Sequence, residues 1–182
     1  MPQLPVIAFV LGALVLLSTA GCGGEPGFSG DVDVPDGYTT YRGDGVSFVH
    51  PQAWRPVTRD LGHGITEIRF QAAGAGRAAP AVVLTVQNGV GDRFDTKVAG
   101  QRQVLETVGD ADVEQDDVDV PGAQKAYLSR VEIPDHGGGA SSSQTVDVLA
   151  ADGRHLTLSA GAPDSDDDAV DVDAVIASLR MG

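Results

Sequence analysis

Ser143-Gln144-Thr145-Val146-Asp147-Val148-Leu149-Ala150-Ala151-Asp152-Gly153-Arg154-His155-Leu156-Thr157-Leu158-Ser159-Ala160 is the stretch on which the fold turns. In its second arm Leu156, Leu158 and Ala160 point one way and His155, Thr157 and Ser159 the other. That period of two marks a half-buried strand. Asp152-Gly153 lies between the arms and is the strongest short-range turn signal in the chain. The spacing predicts an antiparallel hairpin, with strands over residues 143–150 and 155–160.

Working outward, the same logic predicts further strands. Residues 123–133 form a long one that begins just after Pro121-Gly122, and residues 111–118 a weak one. Residues 81–87 (AVVLTVQ) are the most apolar run, the pattern of a central strand. Residues 67–71 alternate, Ile68 and Phe70 against Glu67, Arg69 and Gln71. Residues 46–50 and 54–59 are two more, with Pro51 interrupting or bending the pairing between them. Residues 73–80 read as a loop by their glycines and Pro80. Two segments change period. Across residues 91–108, Phe94, Val98, Gln101, Leu105 and Val108 recur at spacings of three and four, an amphipathic helix with Asp92 as N-cap and Gly109 as its stop. Val172, Val175, Ile176 and Leu179 make the apolar stripe of a terminal helix over residues 168–179. Asp164, Asp166, Asp167 and Asp168 crowd its start, where free N–H groups and the macrodipole favour negative charge. The sum is an α+β domain, an antiparallel sheet of about seven or eight strands flanked by helices.

The 182 residues carry 26 acidic and 12 basic side chains, a formal charge of −14. That excess argues against nucleic acid, which requires a cationic face, and against electrostatic docking on anionic headgroups. The apolar fraction of 42% is enough for a packed core, and one cysteine excludes an intramolecular disulfide framework.

All 38 charged side chains lie from Glu25 onward. Ahead of them, residues 6–17 (VIAFVLGALVLL) are uninterruptedly apolar. Twelve helical residues rise about 18 Å, short of a bilayer's hydrocarbon core, so the segment reads as a signal-peptide h-region. Leu17-Ser18-Thr19-Ala20-Gly21-Cys22 resembles a bacterial lipobox, although Thr19 stands where leucine is usual and no Lys or Arg precedes the apolar run. The resemblance implies cleavage between Gly21 and Cys22 and lipidation of Cys22. An uncleaved anchor helix and an ordinary secreted chain are the alternatives. The domain plan is then a signal peptide over 1–21, a flexible tether over 22–37 rich in Gly, Pro and Asp, and a folded domain over 38–182.

Within that domain, Val46-Ser47-Phe48-Val49-His50-Pro51-Gln52-Ala53-Trp54, the helix that follows the first strands, Val120-Pro121-Gly122-Ala123 ahead of a long strand, and the apolar C-terminal helix resemble the LpqN-type lipoproteins of actinobacteria. More broadly they resemble the PsbP/Mog-like α/β/α sandwich. The resemblance implies a non-enzymatic binding or assembly domain. Together with the anchor, the tether and the missing catalytic set, it leads to the expectation of an extracytoplasmic module that recognises a protein or an apolar envelope ligand. It transfers no site residue, because the matched positions are packing and turn residues.

Read for chemistry, the sequence offers little. His136-Gly137-Gly138-Gly139 has the form of an oxyanion loop, but no G-x-S-x-G elbow accompanies it. Gly74-Ala75-Gly76 lacks the third glycine and the helix of a dinucleotide loop, so no cofactor is expected. The aspartate runs lack the ligand order of a calcium loop, and His50, His63, His136 and His155 lack metal-ligand spacing, so no metal is expected. His155 and Ser159 share a strand face about 13 Å apart, too far for a nucleophile and its base. The remaining ligand-binding candidates are Trp54, with core packing the plainer reading, and a mixed sheet face containing Arg69, Gln71, Thr85 and Gln87. An envelope hydrolase with an unrecognised site and a purely structural protein are the competing expectations.

Overall fold

The computed structural model describes residues 34–76, 79–108, 111–134, 140–163 and 170–182. The signal-peptide reading, with Gly21 and Cys22, and all of the tether before Val34 lie outside the described residues. So do His136, Asp164, Asp166, Asp167 and Asp168. The described elements, in chain order, are β1 (Tyr38–Gly43), β2 (Val46–Pro51), β3 (Arg55–Gly62), β4 (Ile65–Gln71) and β5 (Ala81–Gln87). A 3-10 turn (Gly91–Arg93) then leads into α1 (Phe94–Val108). They continue with β6 (Asp112–Asp117), β7 (Lys125–Pro134), β8 (Ala140–Leu149), β9 (His155–Pro163), α2 (Val172–Ala177) and β10 (Arg180–Met181).

Seven strands form one antiparallel sheet in the order β3-β4-β5-β9-β8-β7-β6. β3, β4 and β5 are a meander. The chain then crosses one face through α1, arrives at the far edge as β6, and returns strand by strand until β9 closes against β5.

The sequence predicts a single sheet, and the structure divides the strands between two. β1, β2 and β10 make a separate three-stranded sheet. Pro51 ends β2, and the Trp54 amide donates back to the Pro51 carbonyl at 3.0 Å, so the chain turns and re-emerges as β3 in the other sheet. β10 escapes periodicity because it has two residues, Arg180 opposite Ser47 and Met181 opposite Val46. The terminal helix is also shorter than the apolar stripe suggests: it spans six residues, and its N-cap is Asp171, whose carboxylate accepts from the Ala174 amide at 2.9 Å. At α1 the expected cap is replaced. Asp92 sits inside the 3-10 turn, and the Arg93 amide donates to the Val90 carbonyl at 3.0 Å.

The alternation within the strands sorts the large sheet into two faces. Ile68, Phe70, Val82, Leu84, Leu128, Val146, Val148, Leu156 and Leu158 fill the main core, closed from above by the small sheet and by Val175, Ile176 and Leu179 of α2 and its exit. Phe48 and Phe70 meet edge to face at 5.4 Å, with Tyr41 against both, and this aromatic cluster joins the two sheets. The second face lies under α1 and is much more polar.

Candidate functional site

α1 touches the second face at two places. Near its start, Phe94 and Val98 pack with Val90 against Tyr127 and Leu149, and Phe94 stacks on Tyr127 at 5.7 Å. Near its end, Leu105 packs on Ala111, Val113 and Val131. Between these contacts the stripe is broken by Gln101, which is exposed. A helix that is apolar only at its two ends spans the sheet like a bridge. Beneath it remains a half-open cleft of about 270 Å³. Val98, Leu105, Val113, Val131 and Ile133 form its apolar walls. Its floor is polar, drawn from β6 to β9: Gln115, Ser129, Thr145, Asp147, Thr157 and Ser159. Larger depressions of about 480 and 410 Å³, beside Val104 along α1 and beside Arg130 and Asp173, are more open.

The floor is ordered by its own hydrogen bonds. Thr145 and Ser159 hydroxyls lie 2.9 Å apart, and Gln115 Nε2 donates to Ser129 Oγ at 3.1 Å. At the end under Phe94 the polar groups become charged. His155, 1% exposed, places Nε2 2.6 Å from Asp147 Oδ1, which also accepts from Thr157 Oγ1 at 2.8 Å. Lys97, on α1, reaches down to Gln87 Oε1 and to His155 Nδ1, the latter at 2.9 Å. An ammonium has only donors, so Nδ1 accepts, and Nε2 carries the proton it donates to Asp147. Burial pushes Lys97 below the usual lysine range, and the Asp147 charge works against that shift. Both imidazole nitrogens are thus engaged, and Phe94 closes the ring's edge at 5.2 Å.

The register of the hairpin accounts for this pair. Leu149 faces His155 and Asp147 faces Thr157, so Asp147 and His155 are diagonal neighbours on one face. Along its own strand His155 has Ser159 on the same face, out of reach; its partner lies across the turn. The polar alternation of β8 and β9 about Asp152-Gly153 contained the signal.

The residues singled out from sequence do not gather here. Trp54 is 6% exposed and belongs to the main core. Arg69 lies on β4, where its Nε donates to Gln71 Oε1 at 2.7 Å. Thr85 lies on β5 opposite Thr157, on the cleft's side of the sheet but not among its lining residues. Of that mixed face, Gln87 bonds into the buried network. Among the other histidines, His50 is buried and donates Nδ1–H to the Pro51 carbonyl at 2.9 Å, and His63 sits at the β3–β4 turn with φ of 54°. Among the described residues no group of three His, Cys, Asp or Glu side chains gathers to hold a metal ion.

No family profile matches the chain, and no curated protein resembles it by sequence. Solved structures do. The chain is similar to cyanobacterial PsbP (CyanoP) from Synechocystis sp. PCC 6803, with a TM-score of 0.54 at 15% identity, over 91% of this chain and 99% of that one. Two others are a protein of unknown function from Pseudomonas aeruginosa, a putative regulator by its description (TM-score 0.43, 19% identity, 72% of this chain and 87% of that one), and a Bacteroides thetaiotaomicron protein (0.43, 16%, 76% and 45%). The first likeness establishes a PsbP-like fold, and at that identity it establishes the fold alone.

Proposed function

We infer that this chain is a lipid-anchored, non-catalytic binding domain on the extracytoplasmic side of a bacterial cell membrane, of the LpqN type, whose ligand site is the cleft between α1 and the second face of the large sheet. The observation that carries the reading is the cleft itself. α1 is pinned at both ends and bridges an ordered polar floor, a shape that serves occupancy rather than packing. The competing hydrolase reading needs a histidine with a free nitrogen beside a nucleophile. His155 instead has both nitrogens engaged, and Ser159 is bonded to Thr145. The anchor rests on the resemblance of residues 17–22 to a lipobox; two or three acyl chains, at about 0.8 kcal/mol per buried methylene, hold where one would not.

Two measurements test the two halves. Labelled palmitate enters wild type and not Cys22→Ala if the anchor is right; equal labelling of both, or none of either, refutes it. Native mass spectrometry of protein purified from its own membranes is expected to find a bound small molecule in wild type and none in Thr145→Phe, whose ring fills the cleft. An unliganded mass for wild type, or the same adduct in both, refutes the cleft.

A further inference from the structure

The charge placement within the cleft says what kind of ligand it takes, an inference that rests on the cleft being the site. Asp147 is a buried carboxylate with its side chain 7% exposed, and it lines the cleft. Among the described residues its hydrogen bonds all go to Oδ1, from His155 and Thr157. Among the described residues no hydrogen bond is made to Oδ2, and the Asp147 side chain borders the cleft. Next to it on the same face stand Thr145, two residues along β8, and Ser159, opposite Thr145. Their hydroxyl oxygens keep lone pairs free after bonding each other. The inner end of the cleft therefore presents mostly acceptors: a carboxylate oxygen and two hydroxyl oxygens, with the one O–H that the Thr145–Ser159 bond leaves over. The cationic lining group, Arg102, lies at the outer rim, where Glu106 holds it at 2.7 Å. The walls between are aliphatic. The geometry points to a small organic ammonium ion as the ligand, its N–H groups on Asp147 Oδ2 and the Thr145–Ser159 hydroxyls and its apolar body between Val98, Leu105 and Val131.

The remaining charges agree. An anion would be brought against Asp147, and Lys97, which feels the Asp147 charge, is already directed to His155 and Gln87. A neutral alcohol would satisfy Oδ2 with one hydrogen bond, where an ammonium adds charge assistance and two further donors. At long range the formal charge of −14 attracts cations and repels anions.

The test uses three molecules of one shape: cyclohexylmethylammonium, cyclohexylmethanol and cyclohexanecarboxylate. Each is titrated into the full chain in lipid nanodiscs, with empty nanodiscs as control, and followed by backbone amide chemical shifts. The ammonium is expected to shift the amides of β8, β9 and α1 and to bind at least tenfold more tightly than the alcohol, with no shift from the carboxylate. Asp147→Asn is expected to erase the difference between ammonium and alcohol. Should that variant not fold, Thr145→Phe, which leaves the His155 network in place, is expected to abolish the shifts. Equal affinity for ammonium and alcohol, or tighter binding of the carboxylate, overturns the cationic ligand and leaves the cleft standing. Failure of all three to move these amides overturns it as well, while the cleft then still answers to the mass measurement.

Discussion

His50 and His155 are both buried, and their surroundings use them differently. His50 lies against Phe70, with ring centroids 4.5 Å apart, and among the described residues its one hydrogen-bond partner is the Pro51 carbonyl. Burial lowers its pKa first; the Pro51 carbonyl opposes the shift and the Arg55 charge adds to it. A folded pKa below the unfolded value of about 6.5 means that the unfolded chain takes up the proton earlier. The stabilisation is full above pH 6.5 and is lost as pH falls toward the lowered folded value. Thermal midpoints measured from pH 8 to pH 5 should therefore fall below pH 6.5 in wild type and fall less in His50→Gln; parallel curves would show that His50 is not the titrating group. Asp147 answers to a different rule. Removing one member of a buried charged network strands the others, at a cost of about 3–5 kcal/mol. Urea unfolding of Asp147→Ala should show a loss of that order, and a loss under about 1 kcal/mol would mean that the network is not holding the hairpin. At this scale the sequence was half legible. It revealed the alternation that puts His155, Thr157 and Ser159 on one face, but the Asp147 contact belongs to the register across the turn.

Element by element, legibility follows length. β5 spans the residues its apolar run predicts, residues 81–87, because a central strand is apolar throughout. α1 was legible through Phe94 and Val98, while the consequence of Gln101 was not: a polar residue in a stripe reads as tolerance until the helix is seen to bridge a gap. The apolar stripe overstates α2 because Leu179 continues it beyond the helix, whose last residue is Ala177. So short a helix depends on its cap. Asp171→Ala removes the bond to the Ala174 amide and should cost about 1 kcal/mol in unfolding free energy, with Asp171→Ser recovering most of it. Trp54, considered for ligand binding, is placed by the turn after Pro51 in the main core. Trp54→Ala should cost about 3–5 kcal/mol in chemical unfolding; a loss below about 1 kcal/mol would return the indole to the surface.

At the scale of the molecule, one charge sign dominates. Self-repulsion among 26 acidic groups against 12 basic ones opposes compaction, and salt screens it within a Debye length of about 8 Å. Raising NaCl from 50 to 500 mM should raise the thermal midpoint, and a fall would mean that specific ion pairs such as Lys125–Asp95 outweigh the net charge. The fold class was legible from patterning, and the division into two sheets was not, since no local signal says which sheet a strand joins after a proline. The most direct trial of the central claim is a crystal structure of the protein purified from its own membranes. A bound molecule is expected between α1 and the floor of Thr145, Asp147 and Ser159, with the Phe94 and Leu105 contacts intact. The claim is contradicted if α1 lies flat on the sheet, with Leu105 packed over Thr145 and Ser159 and no space between.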